Sequence, residues 1–286
     1  MKTFIKAGKI IIAATILLIV GSILYIRFSR YTDVMIYHTN ELAYENFETS
    51  MNHSEYYFEI DQNTQLHGVL FKPNSQNPIA TIIHYSGKGM HLMASQKYYE
   101  ILTKNGFQVF SFERRNFGKS TGLADNSLML KEDALYVFDK IVADENMTEK
   151  PIVIWGQSLG GAFAIMNAAE RNDKIAGVIV EGTFNSFPDI GKVYAKAINL
   201  ENFKWMIPLL MNNDFPAEKE IKNISKPIII IHSDADEQVP YKLGKKLYEA
   251  SNKMNTQFWE IEGKHIRGIF DYEEHYIERF EKMINQ

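Results

Sequence analysis

The hydrophobic and polar positions of this chain fall into two regimes. From Ile10 to Ile26 run seventeen residues without a charge, bounded by Lys2, Lys6 and Lys9 on one side and Arg27 and Arg30 on the other. That length reaches the lower limit for a helix crossing the hydrocarbon of a bilayer, roughly 17 to 25 residues. A cleaved signal sequence would have a shorter apolar core followed by small residues, whereas this run ends in the bulky Ile23-Leu24-Tyr25-Ile26. The pattern predicts one uncleaved transmembrane helix over 10–26. The lysines ahead of it outnumber the arginines behind it, which places residues 1–9 in the cytoplasm and the remainder outside.

Residues 27–55 read as a connector, polar and acidic from Asn40 to Ser54. From Tyr56 the pattern becomes that of a folded body. Tyr56–Ile60 and Gln65–Phe71 flank the turn-forming Asp61-Gln62-Asn63-Thr64 and predict a hairpin. Short apolar runs follow at Ala80–His84, Gln108–Phe112, Ile152–Trp155, Ala176–Val180, Ile228–Ile231 and Gln257–Ile261, with helix-length segments between most of them. Strands that are apolar on both faces and alternate with helices predict the α/β class: one mostly parallel sheet covered by helices on both sides, forming a single domain over 56–286. A helical insert is expected at about 184–226, where Phe203, Trp205, Met206, Ile207, Leu209, Leu210 and Met211 cluster; most of these are expected to pack on the scaffold.

Charge and composition narrow the function. Without the first thirty residues the body carries a formal charge of −9, which argues against nucleic acid or an anionic lipid surface as its partner. The chain has no cysteine and no H-E-x-x-H, so a structural zinc or iron–sulfur site has nothing to build on. Gly87-Lys88-Gly89 and Gly118-Lys119-Ser120 both lack the spacing of a phosphate-binding loop, which argues against nucleotide binding.

The chemistry concentrates in Gly156-Gln157-Ser158-Leu159-Gly160, directly behind the run Ile152–Trp155. A serine between two glycines, at a passage from strand to helix, has the composition of a strained turn that exposes its hydroxyl above a sheet. A serine hydroxyl needs a base to take its proton and an acid to orient that base. Downstream, Asp236 lies in a polar loop behind Ile228–Ile231, and His265 in a loop behind Gln257–Ile261. The order Ser158, Asp236, His265 differs from those of chymotrypsin and subtilisin. Asp234 is the alternative acid. His84, His91 and His232 are read as structural.

Four segments together resemble the α/β-hydrolase superfamily, in its serine aminopeptidase-like and lysophospholipase-like branch. They are His84-Tyr85-Ser86-Gly87-Lys88-Gly89, the run Glu113 to Gly122, the Ser158 turn, and the loop from His232 to Val239-Pro240. The resemblance implies the α/β-hydrolase fold with a short lid formed by the insert, and an oxyanion hole built from the backbone N–H of Leu159 and of Ser86 or Gly87. It implies hydrolysis of an ester or related acyl bond through an acyl-enzyme, with no cofactor or metal. A small-molecule or lipid-like acyl substrate fits the membrane helix and the Met-rich insert, part of which would line an acyl pocket. A peptidase of the same fold is the alternative within this class. A membrane-tethered, non-catalytic binding protein is the alternative outside it.

Overall fold

In a computed structural model the described residues are 2–30, 44–75, 77–144, 147 and 150–285, with side chains described from residue 6 onward. The apolar N-terminal segment forms one continuous helix, α1 (Lys2–Phe28), longer than the predicted 10–26 because nothing in the flanking lysine-containing turn stops helix propagation. Its stretch Lys6–Phe28 is long and apolar enough to cross a membrane.

Eight strands form a single sheet: β1 (His53–Asp61), β2 (Thr64–Phe71), β3 (Thr81–Tyr85), β4 (Gln108–Phe112), β5 (Ile152–Gln157), β6 (Gly177–Glu181), β7 (Ile228–Ser233) and β8 (Thr256–Ile261). Their order is β1-β2-β4-β3-β5-β6-β7-β8. β1 and β2 form the predicted antiparallel hairpin, β2 pairs antiparallel with β4, and every later pairing is parallel. The chain leaves β3 toward β4 and returns to its other side as β5, so a crevice opens where the carboxyl ends of β3 and β5 diverge.

Helices cover both faces. α3 (Ser127–Val142), α4 (Leu159–Glu170) and α6 (Tyr241–Ala250) contribute to one buried apolar cluster with Leu70, Ile83, Ile154, Val178 and Ile230. α2 (Gln96–Lys104) and α7 (Glu273–Ile284) contribute to the other with Val109, Val153, Trp155, Ile179 and Ile231. Odd and even positions of β5 thus serve opposite cores, which is why its sequence is apolar without alternation. α3 starts where the Asn126 side chain accepts hydrogen bonds from the amides of Leu128 and Met129 at 3.0 and 3.1 Å. The insert between β6 and β7 contains α5 (Phe187–Ala197), capped by Ser186, and several shorter helical turns up to Asn223.

Three strands extend past their apolar runs, β5 to Gln157, β6 to Glu181 and β7 to Ser233. Gln157 and Glu181 stand opposite each other in the ladder and also bond through their side chains, so polarity there does not end the strand. The connector also differs from expectation. β1 begins at His53, and the preceding segment packs on the body: the Tyr44 hydroxyl donates to Glu113 at 2.6 Å, and the Phe47 ring lies 5.7 Å from His67 and 6.0 Å from Phe71. Residues 31–43 of the predicted connector lie outside the described residues.

Candidate active site

Ser158 sits between the end of β5 and the first residue of α4 with φ 53° and ψ −121°, a conformation that L side chains rarely adopt. The fold holds it there by close backbone approach. A Cβ on Gly160 would stand 1.9 Å from the carbonyl oxygen of Tyr85, so only glycine lets α4 start against the end of β3. The Ser158 amide donates to the Glu181 carbonyl at 2.8 Å, tying the turn to β6. Strain of this kind persists where surrounding structure over-determines it, and it concentrates at functional sites.

The acid and base predicted downstream meet. His265 Nδ1 donates to Asp236 Oδ2 at 2.6 Å, with both side chains almost wholly buried. Asp236 Oδ1 accepts the amides of Gln238 and Val239 at 2.9 and 2.8 Å, so the carboxylate is fixed by its own loop and presents its second oxygen to the imidazole. Asp234, the alternative, is exposed. His232 is buried, donates from Nε2 to the Val239 carbonyl at 2.8 Å, and burial depresses its pKa; it braces the Asp236 loop from below. The His265 ring lies flush against Gly182, where a Cβ would stand 3.0 Å from both Nδ1 and Cε1. Gly182 follows Glu181, so the ring and the Ser158 turn abut the same two residues.

On the other side of Ser158 lies the loop after β3. A Cβ on Gly87 would stand 3.3 Å from Ser158 Cβ, which puts the Ser86–Gly87 backbone beside the hydroxyl. Leu159, the first helical residue of α4, carries one of the N–H groups that have no partner within a helix. The guanidinium of Arg114 donates to the carbonyls of Ser86 at 3.0 Å and Gly87 at 3.1 Å, which fixes the loop. Next to Ser86 a narrow pocket is walled by Tyr85, Phe112, Leu130 and Phe163, with Arg114 and Asp133 at its polar edge.

Beneath the serine runs a buried polar chain that no pattern in the sequence announced. Tyr99 meets His84 Nδ1 at 3.0 Å, and His84 Nε2 meets Gln157 Oε1 at 3.2 Å. Gln157 Nε2 donates to Glu181 Oε2 at 3.1 Å, and that oxygen also accepts the Tyr276 hydroxyl at 2.9 Å. Glu181 Oε1 takes the amide of Gly268 at 2.6 Å, at the foot of the His265 loop. Complete burial raises the Glu181 pKa and lowers that of His84 to about 3. Arg114 lies in the Glu113–Gly122 run, whose pattern gives it no role by itself; for Glu181 the one signal in the sequence is an acid closing an otherwise apolar strand. Among the described residues no group of His, Cys, Asp or Glu is placed to hold a metal ion.

Comparison with known proteins agrees with this architecture. The family model for the serine aminopeptidase S33 hydrolases matches residues 76–213. YfhR of Escherichia coli K12 is 29% identical over 256 residues, covering 86% of this chain and 82% of that protein. The lysophosphatidylserine lipase ABHD12 of Xenopus tropicalis is 33% identical over 159 residues, 52% of this chain but only 40% of the lipase. The crystal structure of the Pyrococcus furiosus esterase Pf2001 superposes with a TM-score of 0.68 at 19% identity, over 87% of this chain and 98% of the esterase. The chain has the α/β-hydrolase fold, and its sequence similarity lies with the serine aminopeptidase-like and lysophospholipase-like hydrolases.

Proposed function

We propose that this protein is a serine hydrolase that cleaves a carboxylic ester, or a related acyl bond, through an acyl-enzyme on Ser158. The observation that carries the reading is the bond from His265 Nδ1 to Asp236, which leaves Nε2 as the basic nitrogen, in a ring packed on the same backbone that anchors the strained Ser158 turn. His265 takes the Ser158 proton as the oxygen attacks the acyl carbon, and Asp236 holds the tautomer and balances the imidazolium. The oxyanion that forms takes hydrogen bonds from the backbone N–H of Leu159 and of Ser86 or Gly87, groups that need no reorganisation because Gly160 and Arg114 have already fixed them. The imidazolium returns its proton to the departing alcohol. Water then attacks the acyl-enzyme with the same base, releases the acid and restores Ser158, so no cofactor enters the cycle.

The ester reading is favoured over an aminopeptidase by the state of the nearby carboxylates. An aminopeptidase needs an acidic group to receive the substrate ammonium. Glu113 is occupied by Tyr44 and the amides of Leu92 and Lys119, Asp133 by Arg115, and Glu181 by Gly268, Gln157 and Tyr276. A non-catalytic tethered protein would have no use for the strain at Ser158. The helix α1 serves as a single-pass anchor with the amino end in the cytoplasm and the catalytic domain outside. A fluorophosphonate probe tests the central claim: labelling of the native protein that disappears in Ser158→Ala is expected, and undiminished labelling of the variant would refute it. A series of esters of increasing acyl length then defines the substrate.

A further inference from the structure

The lid carries its apolar side chains on the outside. Ile198, Leu200, Phe203, Trp205 and Leu209 are between 46% and 66% exposed, although most of the cluster from Phe203 to Met211 is expected from the sequence to pack on the scaffold. A monomer seldom leaves so many large apolar groups together in water, and such patches mark a surface with a partner.

The neighbouring element identifies the partner. Near its end α1 is partly covered at Ile23, Ile26 and Arg27, where it packs against this part of the lid. Arg27 Nη1 donates to the carbonyls of Pro208 at 3.2 Å and Leu209 at 3.3 Å, and Asn212 returns a bond to the Arg27 carbonyl at 3.1 Å. One turn later Arg30 pairs with Asp214. The charge-free run of α1 ends at Ile26, so Arg27 marks the depth where hydrocarbon gives way to headgroups. A spanning α1 would put Pro208 and Leu209 at headgroup depth as well, with the exposed side chains beside them within reach of the acyl chains. A Trp and a Phe in such a belt suit the interface, since aromatic rings concentrate there. The adjoining face carries Lys192, Lys196, Lys204, Lys242 and Lys246 against Asp189 and Glu201, which pair with three of them, a local excess of cations on a body that is acidic overall.

We propose that the lid segment Ile198–Leu209 is seated in the leaflet its own anchor enters, so that the protein meets the bilayer twice. Through α5 the same lid reaches the loop beside Ser158, where Lys88 lies 5.7 Å from the centre of the Tyr194 ring. Resting on the ester reading above, this arrangement assigns the substrate class: an amphiphilic acyl ester that enters from the membrane without crossing water.

The chain has no native cysteine, so a single label can be placed in the full-length protein. Phe203→Cys, carrying an environment-sensitive fluorophore, is reconstituted in phosphatidylcholine–phosphatidylglycerol vesicles with or without a nitroxide high on the acyl chain; Met254→Cys, at a 95% exposed site, serves as the control. Quenching at 203 of about twofold or more, with little change at 254, is expected for side chains at the headgroup–acyl boundary. Equal behaviour of the two labels overturns the proposal, as does quenching at 203 that grows with protein-to-lipid ratio, the sign of a second copy on the patch. In a second arm, Phe203→Asp with Trp205→Asp is expected to lower hydrolysis of a vesicle-borne long-chain ester by about tenfold while a soluble p-nitrophenyl ester is turned over within about twofold of the native rate. Equal loss on both esters overturns the membrane route. Nitroxide quenching at 203 with no turnover of either ester by the native protein would instead overturn the ester reading and leave the seating intact.

Discussion

Glu181 and Gly268 are joined by a 2.6 Å hydrogen bond from the Gly268 amide to the buried carboxyl, while the backbone carbonyl of the same Glu181 receives the amide of Ser158 at 2.8 Å. One residue at the end of β6 therefore links the Ser158 turn to the loop that carries His265. Replacing it separates positioning from chemistry. Glu181→Ala strands the buried Gln157, Tyr276 and Gly268 donors and is expected to cost about 3 kcal/mol of stability by urea unfolding. It is also expected to lower kcat about tenfold with KM nearly unchanged, since an imidazole displaced slightly from its serine loses rate before binding. Glu181→Gln, which keeps the shape and one acceptor, is expected to recover most of both losses. A Glu181→Ala protein with native kcat would show that the link does not position the base.

The geometry supports Asp236 as the proposed acid, so the two candidates in its loop have opposite expectations. Asp236→Asn leaves a side chain of the same size that no longer fixes the His265 tautomer, and kcat is expected to fall about 10⁴-fold. Asp234→Asn, at an exposed position, is expected to remain within about twofold of native. Steady-state kinetics on a p-nitrophenyl ester check the ranking, and the reverse order would move the acid to Asp234.

Acidification is expected to weaken the fold through His84. Its pKa in the folded protein is lowered to about 3 by burial, against an ordinary value near 6.5, so between these two limits the unfolded chain binds the extra proton. Stability from this group is complete above the upper limit and is lost as pH falls through the window. The contribution amounts to about 2 kcal/mol between pH 7 and pH 5. Urea unfolding at the two values should show that drop in the native protein and a smaller one in His84→Gln; equal slopes would contradict the assignment.

The buried ion pair below the Arg114 segment offers a test of packing against charge. Arg115 donates to both oxygens of Asp133, at 2.7 and 2.9 Å, with both side chains almost fully enclosed. Asp133→Ala leaves a buried guanidinium short of its partner and is expected to cost roughly 3 to 5 kcal/mol. The double change Arg115→Met with Asp133→Leu is expected to fold with stability close to native, measured by the same unfolding midpoint.

The anchor is tested by extraction. Burial of an apolar run does not depend on charge pairing, so the full-length protein is expected to stay with membranes through carbonate and high-salt washes. A native amino terminus found near residue 27 on a soluble protein would instead identify a signal sequence.

Much of this molecule was legible in one dimension because the relevant physics is local. An uninterrupted charge-free run at the lower limit of a bilayer-spanning length, apolar strands between helices, and glycines around a serine each declare themselves within a few residues. Hence α1, the sheet and the Ser158 turn follow from Ile10–Ile26, Ile152–Trp155 and Gly156–Gly160. Chain order likewise brought Asp236 and His265 forward as partners. The choice of Asp236 over Asp234 could not be made that way, since both occupy one polar loop and only the fold decides which carboxylate faces inward. Gln157 and Glu181 ended strands that the hydropathy pattern closed too early, because two polar groups cancel each other's burial cost only once β5 and β6 are side by side. The Tyr44 segment looked like a connector until Glu113 supplied its partner, 69 residues away. The lid gave the opposite lesson: Phe203, Trp205 and Leu209 have the composition of a core, yet the tertiary structure leaves them exposed, beside the end of α1. Apolar character states that a side chain avoids water; whether the protein core takes it in is decided by the tertiary structure.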